Sequence, residues 1–317
     1  MPSRRSVLRR VLKTFLPIVL VIFVATILIS GWLVYGITRP PRAAYRMTPQ
    51  SFSKLTGPVA KAADVNWKNH DGSDARGWLI TGTDGAPAVI LLHGYGADRS
   101  WLLNLAYKLN ETTNFTVLWP DLRGHGENPP VNWTSFGKVE GDDVTAAIDY
   151  LRTLRSPAGK PQIGQNVGVY GIGLGAYATL DAATRSPQIR ALAIDSAPAS
   201  PDDLVRAATR DMSSGIFESV FQFLAHTGMK VYSFGKLPTK TSCELAGGLT
   251  TVRVLLLAGR ANDPWRQSTV DLARCLKTPP EVKSDLPLTG PNLPSSTGEE
   301  EEAYDRPVIE FFDKTLR

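Results

Sequence analysis

A turn at residues 171–175 has the glycine spacing of a catalytic motif but lacks its reactive residue. In the pattern Gly-x-Ser-x-Gly, a sharp turn between a strand and a helix presents a serine hydroxyl for attack on a carbonyl carbon. Here the sequence reads Gly171-Ile-Gly-Leu-Gly175, so Gly173 stands at the nucleophile position. Glycine has no group that can attack a substrate, and it adopts the strained backbone of such a turn at little cost.

The partners that such a nucleophile needs are also incomplete. Acyl transfer requires a base beside the nucleophile and an acid that orients the base, in the chain order serine, acid, histidine. Asp263 follows an apolar run and fits the acid, although a helix N-cap or a loop carboxylate explains it equally well. The four histidines all precede Asp263 in the chain: His70, His93, His125 and His226.

The composition is that of a globular protein with a sizeable core. The chain has 317 residues, of which 43% are apolar and 21% are charged. Its net charge of +5 comes from residues 1–46, which hold eight basic residues and no acidic one. The remainder has 27 basic and 30 acidic residues, so the charge does not indicate nucleic-acid binding.

Residues 15–36 carry no charge and are long enough to cross a bilayer as a helix. Trp32 and Tyr35 lie near the end of this segment, where interfacial aromatic residues belong. Five basic residues precede it within residues 1–14 and three follow it, which predicts a single-pass anchor with a cytoplasmic N-terminus and an extracytoplasmic main domain. A cleaved signal peptide is the alternative, but its apolar core spans only about 7–15 residues. Residues 37–62 are rich in proline and arginine and are predicted to form a juxtamembrane linker.

The rest of the chain, residues 63–317, alternates between apolar strands and amphipathic helices. Strands are predicted at 63–68, 75–81, 88–92, 115–119, 167–170, 191–194 and 252–257, with a weak one at 281–286, and helices at 99–110, 138–154, 176 to about 185, 265–276 and 305–316. This alternation predicts an α/β fold with a mostly parallel central sheet flanked by helices. Residues 201–250 interrupt it with helical segments and are predicted to form a helical cap.

Several motifs in a fixed order resemble the α/β-hydrolase family. An apolar strand runs into His93-Gly94-Tyr95-Gly96, and the next strand ends in Asp121-Leu-Arg-Gly-His125-Gly. The turn at 171–175, the helical insertion and the loop at Asp263 follow in the order that the family uses. The resemblance covers about residues 63–317 and implies an α/β-hydrolase fold, but a fold does not by itself establish a function.

The resemblance also implies roles for individual positions. The amides of Tyr95 and Leu174 would form the oxyanion hole, and His93, Gly94, Asp121 and His125 would belong to loops around the pocket. The histidine of the family should fall just before the last helix, where this chain has Thr297 or Gly298. Neither residue can act as a base near neutral pH. A replacement pair of Ser100 and His125 is conceivable, but a helix N-cap and a structural imidazole explain these two residues more simply.

A different class of protein fits part of the same segment. Gly171, Gly173 and Ala176 match the dinucleotide-binding pattern Gly-x-Gly-x-x-Gly/Ala, and Asp195 ends the next strand about 20 residues later, as that fingerprint requires. However, this fingerprint usually opens a nucleotide-binding domain, whereas here two strands and two helices with hydrolase-like motifs come first. Dinucleotide binding therefore remains an alternative.

The two cysteines, Cys243 and Cys275, either form a disulfide that joins the cap to the following helix or remain as two separate thiols. Neither has the spacing of a metal or redox site, and no cofactor or metal is predicted. The sequence thus predicts a membrane-anchored α/β-hydrolase-fold protein that has lost its nucleophile and base and that binds a small molecule or a protein at the pocket or cap. A hydrolase of ester or peptide-like bonds with a substitute nucleophile is the main alternative.

Overall fold

A computed structural model describes residues 4–42, 44–56, 61–212, 217–232, 238–260, 263–295 and 298–317. Its centre is one sheet of eight strands among these residues, in the order β1-β2-β4-β3-β5-β6-β7-β8. The strands are β1 (Ala63–Lys68), β2 (Asp74–Ile80), β3 (Ala86–Leu92), β4 (Thr116–Pro120), β5 (Ile163–Ile172), β6 (Ile189–Asp195), β7 (Arg253–Leu257) and β8 (Glu281–Lys283). Strands β3 to β8 pair in parallel, and β1 and β2 join the edge in antiparallel pairs.

The central strands are apolar because both faces of the sheet are covered. β3 and β6 are almost completely buried, and their side chains are mainly Ala, Val, Ile and Leu. Such continuous apolar runs are typical of a parallel sheet between two layers of helices. The predicted α/β fold and mostly parallel sheet are confirmed. β8 is shorter than predicted and ends at Lys283.

The helices are α1 (Arg4–Ile37), α2 (Pro49–Thr56), α3 (Leu103–Thr113), α4 (Lys138–Thr153), α5 (Leu174–Ala183), α6 (Pro201–Met212), α7 (Glu218–Tyr232), α8 (Ser242–Gly247), α9 (Arg266–Asp271) and α10 (Glu299–Leu316). Short 3-10 turns lie at Arg99–Leu102, Leu272–Arg274 and Gly290–Ser295. The last helix starts six residues earlier than predicted. Glu299–Glu302 form its first turn, where acidic side chains interact favourably with the helix dipole.

The segment at 37–62 contains regular structure that its sequence pattern does not reveal. Helix α2 lies within it, and the ring of Phe52 stacks on that of Tyr107 with the ring centroids 4.7 Å apart. Upstream of α2, the Tyr45 hydroxyl donates a hydrogen bond to Asp121 at 2.6 Å. Part of the predicted linker is therefore packed on the domain that it precedes.

By its internal contacts, the chain divides into two units. One consists of residues 1–37 and 205–237, and the other of residues 38–204 and 238–317. The second unit contains the whole sheet. In the first, α7 lies along α1, and within α1 the segment Lys13–Ile37 is long and apolar enough to cross a bilayer. Where the structure describes residues 201–250, it shows the predicted helices and no strand.

Candidate functional site

The turn between β5 and α5 has the backbone geometry of a strained strand-to-helix turn. Gly173 has φ 55° and ψ −109°, a conformation that residues with a side chain rarely adopt. Its N–H donates to the carbonyl oxygen of Asp195 at 3.0 Å, and its own carbonyl accepts from the amide of Tyr177 at 3.0 Å. These two hydrogen bonds fix the turn against β6 and the first turn of α5.

The outer glycines of the motif permit close packing. A Cβ added at Gly175 would lie 2.7 Å from the carbonyl oxygen of His93, and one added at Gly171 would lie 2.4 Å from the carbonyl oxygen of Gly175. Real Cβ atoms do not approach backbone oxygens so closely. The helix can therefore sit against the end of β3 only if these two residues are glycine.

The nucleophile position is covered by an aromatic ring. A Cβ added at Gly173 would lie 3.1 Å from Cζ3 of Trp265, which is closer than most real Cβ contacts. The half-buried indole comes from the loop before α9. A serine at 173 would therefore require the ring to move in addition to adopting the positive φ.

The predicted acid, Asp263, lies two residues before Trp265, and no histidine is hydrogen-bonded to it among the described residues. Its Oδ1 accepts a hydrogen bond from the Trp265 amide at 2.9 Å, which is the role of a loop or cap carboxylate. Its Oδ2 is buried without a hydrogen-bond partner among the described residues. Burial raises the pKa of Asp263, while the Trp265 amide and the nearby Ser196 hydroxyl oppose that rise.

The predicted base position, Thr297, lies outside the described residues, and its role stays a prediction. Within the same loop, the structure places Gly290 against the turn. The Gly290 N–H donates to Oδ2 of Asp195 at 2.5 Å, and an added Cβ there would lie 2.7 Å from the Ile172 side chain. The backbone at Gly290 therefore packs directly against Ile172 and Asp195.

The loop after β3 lies against the turn at Gly173. The Cα of Gly94 is 3.9 Å from a Cβ added at Gly173. This contact brings the loop that carries Tyr95 next to the start of α5 at Leu174. The oxyanion roles of the two amides remain predictions.

His93 is a structural residue that links two loops. Its Nδ1 lies 2.8 Å from the Gly94 carbonyl oxygen, and its Nε2 lies 3.0 Å from the Leu122 nitrogen. Because a backbone amide can only donate, Nε2 is the acceptor and Nδ1 carries the proton. Burial lowers the pKa of His93 to about 4, so the ring is neutral at physiological pH.

His125 is likewise buried and tied to its own loop. Its Nδ1 lies 2.6 Å from the carbonyl oxygen of Arg123, and burial lowers its pKa to about 3. Its ring contacts Tyr95 edge to face. The Ser100 hydroxyl instead accepts a hydrogen bond from the Arg46 amide at 3.3 Å. The conceivable Ser100–His125 pair is therefore not assembled, because the structure shows no hydrogen bond between these residues.

Asp121, predicted to be a pocket-loop residue, is a buried structural carboxylate. It accepts hydrogen bonds from the Tyr45 hydroxyl and from the Arg99 amide at 3.0 Å. The guanidinium groups of Arg76 and Arg99 lie within 3.4 Å of its Oδ2. These contacts fix the loop after β4, which is a structural role for Asp121.

A network of buried polar side chains lies behind the turn, and it was not predicted from the sequence. The fully buried carboxylate of Asp195 accepts hydrogen bonds from the Tyr304 hydroxyl and, at 2.7 Å, from the Ser196 hydroxyl. The Tyr170 hydroxyl lies 2.6 Å from that of Tyr304. Burial raises the pKa of Asp195 to about 7, opposed by the donors Tyr304, Ser196 and Gly290. No local pattern reveals this network, because Tyr304 is 109 residues from Asp195.

The same network argues against the dinucleotide alternative. That fingerprint needs an exposed carboxylate for a ribose hydroxyl, and the carboxylate of Asp195 is enclosed and already hydrogen-bonded. The turn at Gly173 is also covered by Trp265. Packing within the fold explains both the glycine turn and the position of Asp195 without a bound nucleotide.

Cys243 and Cys275 form a disulfide. Cys243 lies in α8, and Cys275 directly follows the 3-10 turn at Leu272–Arg274. The alternative of two free thiols is thereby excluded in this structure. Across the described ranges, no group of three or more histidine, cysteine, aspartate or glutamate side chains could hold a metal ion.

Comparison with known proteins agrees with this architecture. The model of the alpha/beta hydrolase family matches residues 89–297, which is more than half of the chain. The chain therefore belongs to the α/β-hydrolase family. A curated relative, the polyketide transferase ATR5 of Stachybotrys chlorohalonatus, is 28% identical over 160 residues, which are 49% of this chain and 52% of that protein. The chain thus matches only about half the length of this relative.

Solved structures share the fold at low sequence identity. The esterase Pf2001 of Pyrococcus furiosus superimposes with a TM-score of 0.64 and 21% identity, over 88% of this chain and 100% of that one. The acylaminoacyl peptidase of Pyrococcus horikoshii gives a TM-score of 0.57 and 14% identity, over 85% of this chain and 44% of that one. At these identities the likeness concerns the fold alone.

Proposed function

We propose that this chain is a membrane-anchored α/β-hydrolase-fold protein that does not hydrolyse esters and instead binds a small molecule or a protein at the former catalytic edge of the sheet. The observation that carries the proposal is the contact between Trp265 and Gly173. A Cβ at 173 would lie 3.1 Å from the indole, so an aromatic surface covers the place from which a nucleophile would react.

The chemistry of the site supports binding rather than acyl transfer. The reaction needs a nucleophile activated by a base, and Gly173 supplies no reactive group. His93 and His125 are buried, and both are hydrogen-bonded to backbone groups of the surrounding loops. One oxygen of Asp263 accepts a hydrogen bond from the Trp265 amide. In the described part of the chain, no imidazole is hydrogen-bonded to the other oxygen.

The Ser196 hydroxyl, which lies near Asp263, does not replace the missing nucleophile. Ser196 has a positive φ of 50°, as nucleophiles at sharp turns do, and it follows β6 directly. Its side chain is fully buried, however, and its hydroxyl donates to Asp195. A substrate could reach it only after the turn had opened.

The membrane anchor rests on α1. Its apolar segment Lys13–Ile37 is long enough to span a bilayer, and basic residues are more numerous before it than after it. The proposed orientation places the N-terminus in the cytoplasm and the α/β-hydrolase domain on the opposite side. The disulfide between Cys243 and Cys275 is consistent with an oxidising compartment.

Two measurements on the detergent-solubilised full-length chain test this function. A serine-directed fluorophosphonate probe should leave its intact mass unchanged, whereas a covalent adduct would establish a substitute nucleophile and overturn the proposal. A panel of carboxylic acids and acyl esters should include compounds that change tryptophan fluorescence in the native chain but not in Trp265→Phe. If no compound does so and none changes the melting temperature, the small-molecule form of the proposal fails.

A further inference from the structure

One side of α7 is apolar and exposed within the unit that contains α1. Val220, Phe223 and Val231 recur at helical spacing on this side, and Phe223 and Val231 are 68% and 64% exposed. Phe217, just before the helix, adds a further exposed ring. A helix that faces only water does not gain stability from such a row, which indicates an apolar environment.

The opposite side of α7 packs closely on α1 through small residues. The Ser30 hydroxyl donates to the Leu224 carbonyl oxygen at 2.9 Å. A Cβ added at Gly228 would lie 2.3 Å from the Ser30 Oγ, and one added at Gly31 would lie 3.3 Å from the Tyr232 hydroxyl. Small residues that let two helix backbones approach are typical of helix pairs in membranes.

The two helices run antiparallel, and their contacts show which part of α1 lies beside each end of α7. Gly228 lies against Ser30 and Val34, and the Tyr232 hydroxyl reaches the carbonyl oxygen of Ile27 at 3.3 Å. Ile27 is ten residues before the end of α1 at Ile37, or about 15 Å along a helix. The C-terminal end of α7 therefore lies beside the apolar part of α1, past Trp32 and Tyr35, the two aromatic residues suited to the membrane interface.

At this level of α1, the side chain of Leu28 is also 66% exposed, so α1 itself presents apolar surface there. Charged residues lie near the two ends of this side of α7. Glu218 is at the N-terminal end and pairs with Arg210 at 3.2 Å. Lys230 is near the deep end, and its long side chain can extend along the helix to carry the ammonium towards the headgroups.

We infer that α7 is inserted into the leaflet that surrounds the C-terminal half of α1, and that lipid acyl chains cover Val220, Phe223 and Val231. Its 15 residues extend about 22 Å, too short to span the bilayer, so the helix enters one leaflet and does not cross. This inference rests on the membrane anchor in the proposed function and adds a second, internal point of attachment.

Single cysteines labelled with the environment-sensitive fluorophore NBD test the inference. The disulfide leaves no free thiol among the described cysteines, so each introduced cysteine is labelled alone. Val220→Cys and Val231→Cys replace exposed residues of α7 and should not disturb packing. Ile22→Cys reports on α1, and Asp84→Cys, at an exposed turn before β3, is the aqueous control. The labelled full-length chains are reconstituted into phosphatidylcholine vesicles with and without lipids that carry a doxyl quencher on the acyl chain.

We expect strong quenching at Val231→Cys, weaker quenching at Val220→Cys and almost none at Asp84→Cys. Quenching at Ile22→Cys without quenching at either α7 position would overturn the inference and leave the anchor in place. A blue-shifted but unquenched label on α7 would show that protein, such as a second copy, covers this side of α7, and would also overturn it. If Ile22→Cys is unquenched as well, the anchor and the inference fail together.

Discussion

The indole of Trp265 covers Gly173, leaving 3.1 Å between its Cζ3 and the position that a Cβ at residue 173 would take. The turn has the backbone conformation of a nucleophile-bearing turn, with φ 55° at residue 173. Gly173 has no side chain that could act as the nucleophile. Glycine relieves the strain, and the aromatic ring takes up the space in front of it. In this α/β-hydrolase fold, the turn at Gly173 thus forms a contact between backbone and indole.

The first prediction concerns restoring the hydroxyl. Gly173→Ser should lower the free energy of unfolding by about 1–3 kcal/mol, because serine must adopt a positive φ and also contact Trp265. It should not create ester turnover, because the described part of the chain places no histidine beside it. Chemical denaturation of the solubilised full-length chain measures the cost.

Trp265→Ala provides the matched background for this substitution. In a double-mutant cycle, Gly173→Ser should cost less when the indole is absent, since only the backbone strain remains. A serine variant as stable as the native chain that also gained Asp263-dependent turnover would contradict this account of the turn.

The second prediction concerns the buried network behind the turn. Tyr304→Phe removes a donor to Asp195 and the hydrogen-bond partner of Tyr170. We expect a loss of about 1–3 kcal/mol in the free energy of unfolding, because buried polar groups are left unpaired. Tyr150→Phe, which removes a hydroxyl from a partly exposed ring, is the control and should have little effect. Equal effects of the two substitutions would show that the network does not stabilise the fold.

The third prediction is a dependence of stability on pH. Burial raises the pKa of Asp195 from its ordinary 3.8 to about 7, so the folded chain holds a proton that the unfolded chain has released. The free energy of unfolding should therefore fall as pH rises from about 4 to about 7, and should change little from this group above that range. Denaturation curves across this range measure the slope.

Asp195→Asn should flatten this slope without abolishing it. The pKa values of Asp143 and Asp305 are also raised by burial, to about 7 and about 6, and these residues contribute in the same direction. Parallel pH profiles for the native chain and Asp195→Asn would rule out a titration of Asp195 in this window.

The fourth prediction compares two carboxylates around one arginine. Arg123, with 3% of its side chain exposed, forms two hydrogen bonds of 2.5 Å to Asp143 and an ion pair of 2.9 Å to Asp71. Asp143→Ala should cost about 3–5 kcal/mol, because it leaves a buried charge without its main partner. Asp71 is 46% exposed, so Asp71→Ala should cost at most about 1 kcal/mol. Similar losses in both variants would contradict this ranking.

Local patterns in the sequence were sufficient to predict the sheet and the turn. Apolar runs such as that of β3 mark buried strands, and the glycines at 171 and 175 mark a close approach of backbone segments. Helix α2 was missed because it has only eight residues and lies in a proline-rich segment. Its position depends on the packing of Phe52 on Tyr107, which no local pattern records.

The site itself was predictable mainly as a set of missing groups. The absence of a hydroxyl at 173 and of a histidine after Asp263 is visible in the sequence. The position of Trp265 over Gly173 is not, because it depends on how the loop after β7 folds across the sheet edge. The hydrogen bond between Tyr304 and Asp195 likewise depends on tertiary structure, since it connects α10 to the end of β6.

Hydrolysis of an activated ester by the full-length chain, measured beside its Asp263→Asn variant, tests most directly the proposal that no acyl transfer takes place at this site. Because protein surfaces react slowly with such esters, the comparison between the two chains is needed to separate this background from turnover that depends on Asp263. We expect the same background rate of ester hydrolysis in both chains. Turnover well above background in the native chain that falls to background in Asp263→Asn would contradict it.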